Sequence, residues 1–255
     1  MPGAAYRERI VRRRFATIAA DYQATVGERR SAYNDAVDEI VHAAVRNLPG
    51  AVTVLDAGCG TGARWSALKQ RLGSVVVRGV DASAEMAALA AAAGLDEVRV
   101  ATLDELPCPD GSCSVVTCLF FVLCYTTSHR QRRRAAAELF RVTAPGGLLF
   151  VDAINTWHLG EGLAYRRGPL ALGWDYARSL LDPRLLPGDK LYATRHHGRR
   201  LAGFHHSFTH RSLTRLMTGA GFRPVHRHTL GYNTGRPHER AVRGQLVHVY
   251  RRPAK

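Results

Sequence analysis

The sequence predicts an α/β fold built on a doubly wound, mostly parallel sheet, and three features of the chain support this prediction. Between residues 52 and 151, short β-branched runs alternate with segments of helical spacing, as in consecutive βαβ units. Three glycines at alternate positions, Gly58, Gly60 and Gly62, follow the first run and precede a helical pattern. The segments 224–230 and 246–250 alternate apolar and polar residues, which predicts an antiparallel hairpin. Five parallel strands and this hairpin make a seven-stranded sheet.

Each element follows from a local pattern. Helices are predicted where apolar residues recur at helical spacing, at 6–22, 31–48, after Gly62, 84–93, 130–142 and 211–218. Parallel strands are predicted as a run from Val52 that ends in Asp56, then 75–80 followed by Asp81, 98–103, 115–123 and 148–151. The run 115–123 is apolar throughout, which is typical of a strand covered on both faces.

We expect residues 1–255 to form a single domain. Residues 1–48 are predicted to form an N-terminal helical segment. Residues 155–206 are irregular apart from a possible helix over 170–181. A long segment of this kind inside an α/β domain is typical of a lid or acceptor-binding insertion.

The chain is strongly basic, with a net charge of +15, and the segment from Arg184 onward holds fifteen Lys or Arg against two acids. Such a field favours anionic partners, although a solvated arginine-rich face is the simpler interpretation. No apolar run approaches the ~18–20 residues of a membrane-spanning helix, and the start of the chain lacks the apolar stretch of a secretory signal. Five cysteines suggest reduced thiols, so we expect a cytoplasmic protein. The sequence does not indicate the oligomeric state.

The glycine turn predicts a nucleotide-type cofactor site. Glycine permits positive φ and close approach of a ligand, and the start of the next helix presents free N–H groups. Gly58, Gly60 and Ala63 satisfy a relaxed dinucleotide pattern, and Asp81 follows at about the spacing of a ribose contact. Asp56 argues against a dinucleotide because its carboxylate would repel a pyrophosphate. It suits a ligand that carries an ammonium and a sulfonium.

Five segments occur together in an informative order: F-A-T-I-A-A-D-Y (Phe15–Tyr22), V-L-D-A-G-C-G-T-G (Val54–Gly62), G-V-D-A-S (Gly79–Ser83), L-P-C-P-D-G-S (Leu106–Ser112) and R-V-T-A-P-G-G-L-L (Arg141–Leu149). With them the chain resembles the class I S-adenosylmethionine-dependent methyltransferases, in the small-molecule, ubiquinone/menaquinone-methyltransferase-like branch. The resemblance covers roughly residues 10–155 and the final helix and hairpin. It implies a Rossmann-like methyltransferase fold with S-adenosyl-L-methionine as cofactor.

The resemblance also implies how the cofactor is held. Asp56 would lie near the ammonium, Asp81 would accept from both ribose hydroxyls, and Ala82 and Met86 would flank the adenine. The third strand departs from the family pattern of an acid beside the adenine amine, since alignment puts Thr102 there. The implied cofactor-binding residues are Tyr22, Asp56, Ala57, Gly58, Cys59, Gly60, Gly62, Asp81, Ala82, Met86, Thr102, Leu103, Asp104, Cys118 and Leu119.

The acceptor side is less well specified by the sequence. A sulfonium methyl is already activated, so the protein mainly aligns a nucleophile and excludes water, and a base is needed only if the acceptor must lose a proton. We expect a small-molecule acceptor, with an anionic one compatible with the basic C-terminal third. The candidate catalytic residues are His205, His206, His210 and Tyr22, and the candidate acceptor contacts are Asn155, Trp157, His158 and Tyr125.

Three alternatives remain open at this stage. The chain could be an RNA methyltransferase, which the basic charge favours, or a catalytically silent methyltransferase-like binding or regulatory module. A nicotinamide-dependent reductase is the third. No metal site is predicted, because the cysteines do not occur in C-x-x-C pairs and the clustered histidines 196–197 and 205–206 are more simply explained as solvated or packed side chains.

Overall fold

The computed structural model describes residues 2–22, 31–159, 169–182, 185–240 and 242–254. The helices in this part of the chain are α1 (Pro2–Ile18), α2 (Ser31–Val45), α3 (Ala63–Leu72), α4 (Ala84–Ala92), α5 (His129–Val142), α6 (Pro169–Leu181) and α7 (His210–Gly219). The strands are β1 (Val52–Ala57), β2 (Val75–Asp81), β3 (Glu97–Val100), β4 (Cys113–Cys118), β5 (Thr143–Ala153), β6 (Asp189–His196), β7 (Arg199–His206), β8 (Arg223–Leu230) and β9 (Gln245–Arg251).

Seven of these strands form one sheet in the order β3-β2-β1-β4-β5-β9-β8. The first five pair in parallel, and β9 runs antiparallel to both β5 and β8. The predicted doubly wound, mostly parallel seven-stranded sheet with a terminal antiparallel hairpin is therefore confirmed. The winding reverses between β1 and β4, and in open sheets of this kind a crevice for a ligand forms at that point.

The predicted fourth strand, 115–123, is wrong in its second half. β4 ends at Cys118, and Val122–Tyr125 form a 3₁₀ turn. The apolar run cannot continue as a strand because Phe120 and Phe121 both have a φ of 66°, in the left-handed region. The third strand also ends earlier than predicted, at Val100, where its partner β2 ends.

The predicted irregularity of residues 155–206 is wrong as well. Besides α6, this segment contains the β6–β7 hairpin, whose strands pair from Asp189 opposite His206 to His196 opposite Arg199. The two residues of its turn, His197 and Gly198, have φ values of 45° and 75°, as a type I′ turn requires. Both strands mix basic and polar residues with scattered apolar ones, so no strict apolar alternation reveals them in the sequence.

The hairpin packs against α1, which ends at Ile18 rather than at the predicted residue 22. The guanidinium of Arg7 lies 3.7 Å from the carboxylate of Asp189 and 5.5 Å from the ring centre of Phe204. At the hairpin tip, the Nε2 of His197 is 2.5 Å from a carboxylate oxygen of Asp21. These contacts hold the N-terminal helix over the carboxyl ends of the parallel strands. None of the described helices is both long and apolar enough to cross a bilayer.

Candidate active site

The glycine turn after β1 has the geometry of a ligand cradle. Gly58, Gly60 and Gly62 have φ values of 90°, 54° and 76°. A Cβ on Gly58 would overlap the side chain of Val122, and one on Gly62 would lie 2.9 Å from a backbone atom of α4. Gly60 has no protein atom within 4 Å of that position, so open space borders it. Gly58 and Gly62 thus allow close packing of the protein, and Gly60 allows close approach of a ligand.

Asp81, the last residue of β2, fixes this turn. One carboxylate oxygen accepts the N–H of Gly60 and the other accepts the N–H of Ser83, each at 2.9 Å. Burial raises the pKa of Asp81, and these backbone donors oppose the rise. A carboxylate has about four lone-pair sites, so Asp81 can accept from a ligand hydroxyl in addition to these backbone donors, which include the N–H of Ala82.

Asp56, the penultimate residue of β1, is a buried carboxylate beside the same turn. The hydroxyl of Thr117 donates to it at 2.7 Å, and the indole Nε1 of Trp65 donates to that hydroxyl at 3.0 Å. Burial raises the pKa of Asp56 to about 6, against the hydrogen bond from Thr117 and the charge of Arg64. A cationic group in the cavity would favour the ionised carboxylate.

Arg64, at the start of α3, is tied to α2. Its guanidinium pairs with the carboxylate of Asp38 and donates to the side-chain oxygen of Asn34 at 3.1 Å. Burial raises the pKa of Asp38 to about 6, although the charge of Arg64 opposes this. The pair therefore brings a cation, already partly neutralised, to the wall beside the glycine turn.

These groups border one cavity of about 350 Å³ at the carboxyl ends of β1, β2 and β4. Its polar end contains the turn, Asp56, Asp81 and Arg64. Its other walls are mainly apolar, with residues from α1, from α4 and from the segment after β4. The complete lining is Val11, Phe15, Tyr22, Asn34, Asp38, Asp56, Gly58, Cys59, Gly60, Thr61, Ala63, Arg64, Ala67, Val80, Asp81, Ala82, Met86, Ala101, Leu103, Leu119, Phe120, Val122 and Tyr125.

The structure brings most of the sequence-predicted cofactor residues to this cavity. Those in its lining are Tyr22, Asp56, Gly58, Cys59, Gly60, Asp81, Ala82, Met86, Leu103 and Leu119, together with the predicted acceptor contact Tyr125. The others are Ala57, Gly62, Thr102, Asp104 and Cys118, which the described lining does not include. Asp104 accepts a hydrogen bond from Gln131 at 3.2 Å, and Cys118 is fully buried as the last residue of β4.

The three candidate catalytic histidines lie elsewhere in the fold and are not in the described lining. His206 is buried at the base of the hairpin, with Nδ1 2.8 Å from the carboxylate of Asp189. His210 stacks on His248 and lies within 2.9 Å of a hydroxyl on β8. His205 packs on the ring of Tyr192, at 5.3 Å between ring centres. Their proximity to α7 in sequence does not bring their side chains to the cavity.

The remaining candidate acceptor contacts follow β5 but also lie outside the described lining. Asn155 donates to the carbonyl of Gly244 at 2.9 Å, and the Nδ1 of His158 accepts the N–H of the same glycine at 2.9 Å. Trp157 is partly exposed and packs against Tyr176, with 5.7 Å between ring centres. Asn155 and His158 thus connect β5 to the loop before β9.

Several lining residues on α1 and α2 were not predicted from the sequence. Val11 and Phe15 line the cavity from α1, and Asn34 and Asp38 line it from α2. Each pair is spaced i, i+4, so its members share one helix face. That spacing was the available signal, but it does not indicate which face turns toward a ligand.

Comparisons with known proteins give a domain match and a shared fold. Residues 54–147 match the family described as "Methyltransferase domain". No curated protein sequence matches the chain. A solved S-adenosylmethionine-dependent methyltransferase from Methanosarcina mazei is 23% identical with a TM-score of 0.66, over 85% of this chain and 98% of that one.

Two further solved structures were determined with the cofactor or its product bound. The 1,6-didemethyltoxoflavin-N1-methyltransferase of Burkholderia thailandensis, with its substrate and S-adenosylhomocysteine, is 19% identical with a TM-score of 0.64, over 98% of this chain and 90% of that one. An amino pentose methyltransferase from Micromonospora echinaspora, with S-adenosylmethionine bound, is 21% identical with a TM-score of 0.58, over 91% of this chain and 96% of that one. At these identities the likeness shows the shared fold.

The residues of the cavity fit an S-adenosylmethionine cofactor. Gly60 leaves its ligand side open, Asp81 offers paired acceptors for a diol, and Asp56 offers a carboxylate for an ammonium. Ala82, Met86 and Leu103 provide an apolar slot of the kind that a flat base requires. This fit rests on the donor and acceptor chemistry of the turn and on the space beside it.

Proposed function

We propose that the chain is an S-adenosylmethionine-dependent methyltransferase and that it transfers the methyl group to a small molecule that enters the cavity beside α1. The main support for this proposal is that one continuous cavity extends from the glycine turn to Phe15, Phe120 and Tyr125. The cofactor supplies an activated methyl group. The protein orients an acceptor against this wall and excludes water through the cover that α1 provides.

We further propose that the acceptor is uncharged rather than anionic. The cavity contains the carboxylates of Asp38, Asp56 and Asp81 against the guanidinium of Arg64, which is already bonded to Asp38 and Asn34. An anionic acceptor would find no further Lys or Arg among the described lining residues to offset the cost of its desolvation. The basic C-terminal third does not alter this argument, because none of its described residues is in the cavity lining.

Where the acceptor must lose a proton, Tyr22 and Tyr125 are the hydroxyl groups we propose as its partners. Both line the cavity. The histidines proposed from sequence are held by other contacts away from it. A neutral amine or an already acidic hydroxyl would need no such base.

A product assay tests this function directly. The protein is incubated with S-adenosylmethionine and matched acceptors, and S-adenosylhomocysteine is quantified. The panel pairs uncharged phenols and nitrogen heterocycles with their carboxylated analogues, and includes amino sugars. We expect turnover with uncharged acceptors. Turnover only with carboxylated ones would overturn the uncharged-acceptor proposal.

RNA methylation is the alternative that the charge of the C-terminal third favours. The same assay with transfer or ribosomal RNA decides between the two. RNA binding through basic residues weakens steeply between about 50 and about 200 mM salt. Turnover confined to RNA, with this salt dependence, would replace the small-molecule proposal.

A further inference from the structure

Two consecutive phenylalanines after β4 adopt an unfavourable backbone conformation. Phe120 and Phe121 both have a φ of 66°, in the left-handed region that favours glycine. For side chains of this size the conformation is strained and persists only where the surrounding structure fixes it. Specific contacts must therefore hold this segment in place.

Asp152, on β5, provides those contacts. One of its carboxylate oxygens accepts the backbone N–H of Phe121 at 2.6 Å, and the backbone N–H of Phe120 also donates to the carboxylate. The hydroxyl of Tyr33, on α2, donates to the other oxygen at 2.9 Å. Both Asp152 and Tyr33 are fully buried, and no Lys or Arg in the described ranges forms an ion pair with Asp152. These hydrogen bonds, together with the charge of Arg64 at longer range, thus compensate this buried carboxylate.

The two phenylalanine rings lie side by side, 5.7 Å apart between centres and nearly parallel, but they border different spaces. The ring of Phe121 packs in the core, 5.6 Å from that of Tyr33 and 6.0 Å from that of Tyr232 between centres. Phe120 lines the cavity, with its ring 6.4 Å from that of Tyr22. Asp152 and Tyr33 are not in the described lining, and this segment is the direct hydrogen-bonded link between them and the cavity.

We propose that Asp152 and Tyr33 are positioning residues that hold Phe120 against the cofactor. This inference rests on the proposed methyltransferase function of the cavity. It assigns a role to a buried carboxylate that touches neither cofactor nor acceptor. The left-handed segment connects them to the cavity. Without its hydrogen bonds to Asp152, the segment would relax and the ring of Phe120 would withdraw from the cavity.

A double-mutant cycle read by calorimetric titration with S-adenosylhomocysteine tests the proposal. The variants are Tyr33→Phe, Phe120→Ala and their combination. Tyr250→Phe is the matched control, since Tyr250 is also fully buried and its hydroxyl lies 2.7 Å from the Nδ1 of His248, away from the cavity. Asp152→Asn is the second perturbation of the same group.

We expect Tyr33→Phe to weaken the binding of S-adenosylhomocysteine about three- to tenfold, which is less than the full value of a lost hydrogen bond to a charged group because the effect reaches the ligand only indirectly, through Phe120. Asp152→Asn should weaken binding at least as much. In the Phe120→Ala background, Tyr33→Phe should not weaken binding further, because Tyr33 affects the ligand through the ring that Phe120→Ala has already removed. The Tyr250→Phe control should lower the melting temperature similarly and leave the affinity unchanged.

Two results would overturn the proposal: an unchanged affinity in Tyr33→Phe, or an equal loss with and without Phe120. A loss of affinity in the Tyr250→Phe control would also overturn it, since general destabilisation would then explain the effect. Failure of the unaltered protein to bind S-adenosylhomocysteine is a different outcome, which refutes the proposed function and with it this inference.

Discussion

Replacing Asp81 by asparagine should weaken cofactor binding far more than it weakens the fold. The two carboxylate oxygens of Asp81 accept the N–H groups of Gly60 and Ser83, each at 2.9 Å. The amide of asparagine has one acceptor oxygen, so one of these N–H groups would face an NH₂ group instead. The change also removes the carboxylate to which a ribose hydroxyl of the ligand would donate, and a hydrogen bond to a charged group contributes about 1.5–3 kcal/mol.

The dissociation constant of S-adenosylhomocysteine should therefore rise about 10- to 150-fold, since each 1.4 kcal/mol corresponds to a factor of ten. The free energy of unfolding should fall by only about 1 kcal/mol. Burial raises the pKa of Asp81, so a neutral side chain avoids part of the desolvation cost of the carboxylate.

Asp96→Asn is the matched control. Its carboxylate accepts the N–H of Val77 at 2.7 Å and pairs with Lys69 at 2.8 Å, and it is not in the described cavity lining. Calorimetric titration and thermal unfolding of both variants give the two quantities. A dissociation constant of Asp81→Asn within about threefold of the unaltered protein would refute the reasoning, because the expected loss is at least tenfold. An equal loss of affinity in Asp96→Asn would refute it too.

Three further predictions follow from the same contacts. Burial raises the pKa of Asp56 from 3.8 to about 6, so its contribution to apo-protein stability is lost as the pH rises through this value. The ammonium of the ligand favours the ionised form of Asp56, so binding should release a proton. The affinity should increase as the pH rises from about 5 to about 7. Titration in buffers of different ionisation enthalpy measures this release, and Asp56→Asn should reduce it. Gly58→Ala should abolish S-adenosylhomocysteine binding, because the new Cβ would overlap the side chain of Val122. It should lower the free energy of unfolding by about 1–3 kcal/mol more than the control Gly73→Ala, which shares positive φ but has open space. Equal unfolding midpoints of the two variants would contradict this. Arg7→Gln breaks buried contacts to the hairpin and to the segment before α5, so it should lower the free energy of unfolding by about 3 kcal/mol and speed proteolysis of the hairpin. The exposed control Arg12→Gln should lower it by about 0.5 kcal/mol or less. Similar losses in the two variants would show that Arg7 does not dock the hairpin.

The elements that could be predicted from sequence are those set by local chemistry. Gly58, Gly60 and Gly62 have positive φ, and glycine at such positions is itself the signal. Asp81 lies at the end of a buried strand beside that turn, where strand order alone brings it to the ligand. This explains why the sheet and the polar end of the cavity followed from the sequence.

The features that could not be predicted depend on partners far away in the chain. The run that contains Phe120 and Phe121 has the composition of a strand, but the carboxylate of Asp152, itself bonded by the hydroxyl of Tyr33, accepts the backbone N–H of Phe121 where the chain turns away. His210 follows a plausible acceptor segment in sequence, yet its ring stacks on a strand residue. Side-chain direction is decided by packing that a single-sequence pattern does not encode.

Titration of the unaltered protein with S-adenosylhomocysteine, with NADH as the comparison ligand, tests the central claim most directly. One S-adenosylhomocysteine should bind per chain, and NADH should not bind. At about 100 times the dissociation constant, binding should raise the free energy of unfolding by about 2.7 kcal/mol. Binding of NADH in its place, or of neither ligand, would contradict the assignment of the glycine turn to S-adenosylmethionine.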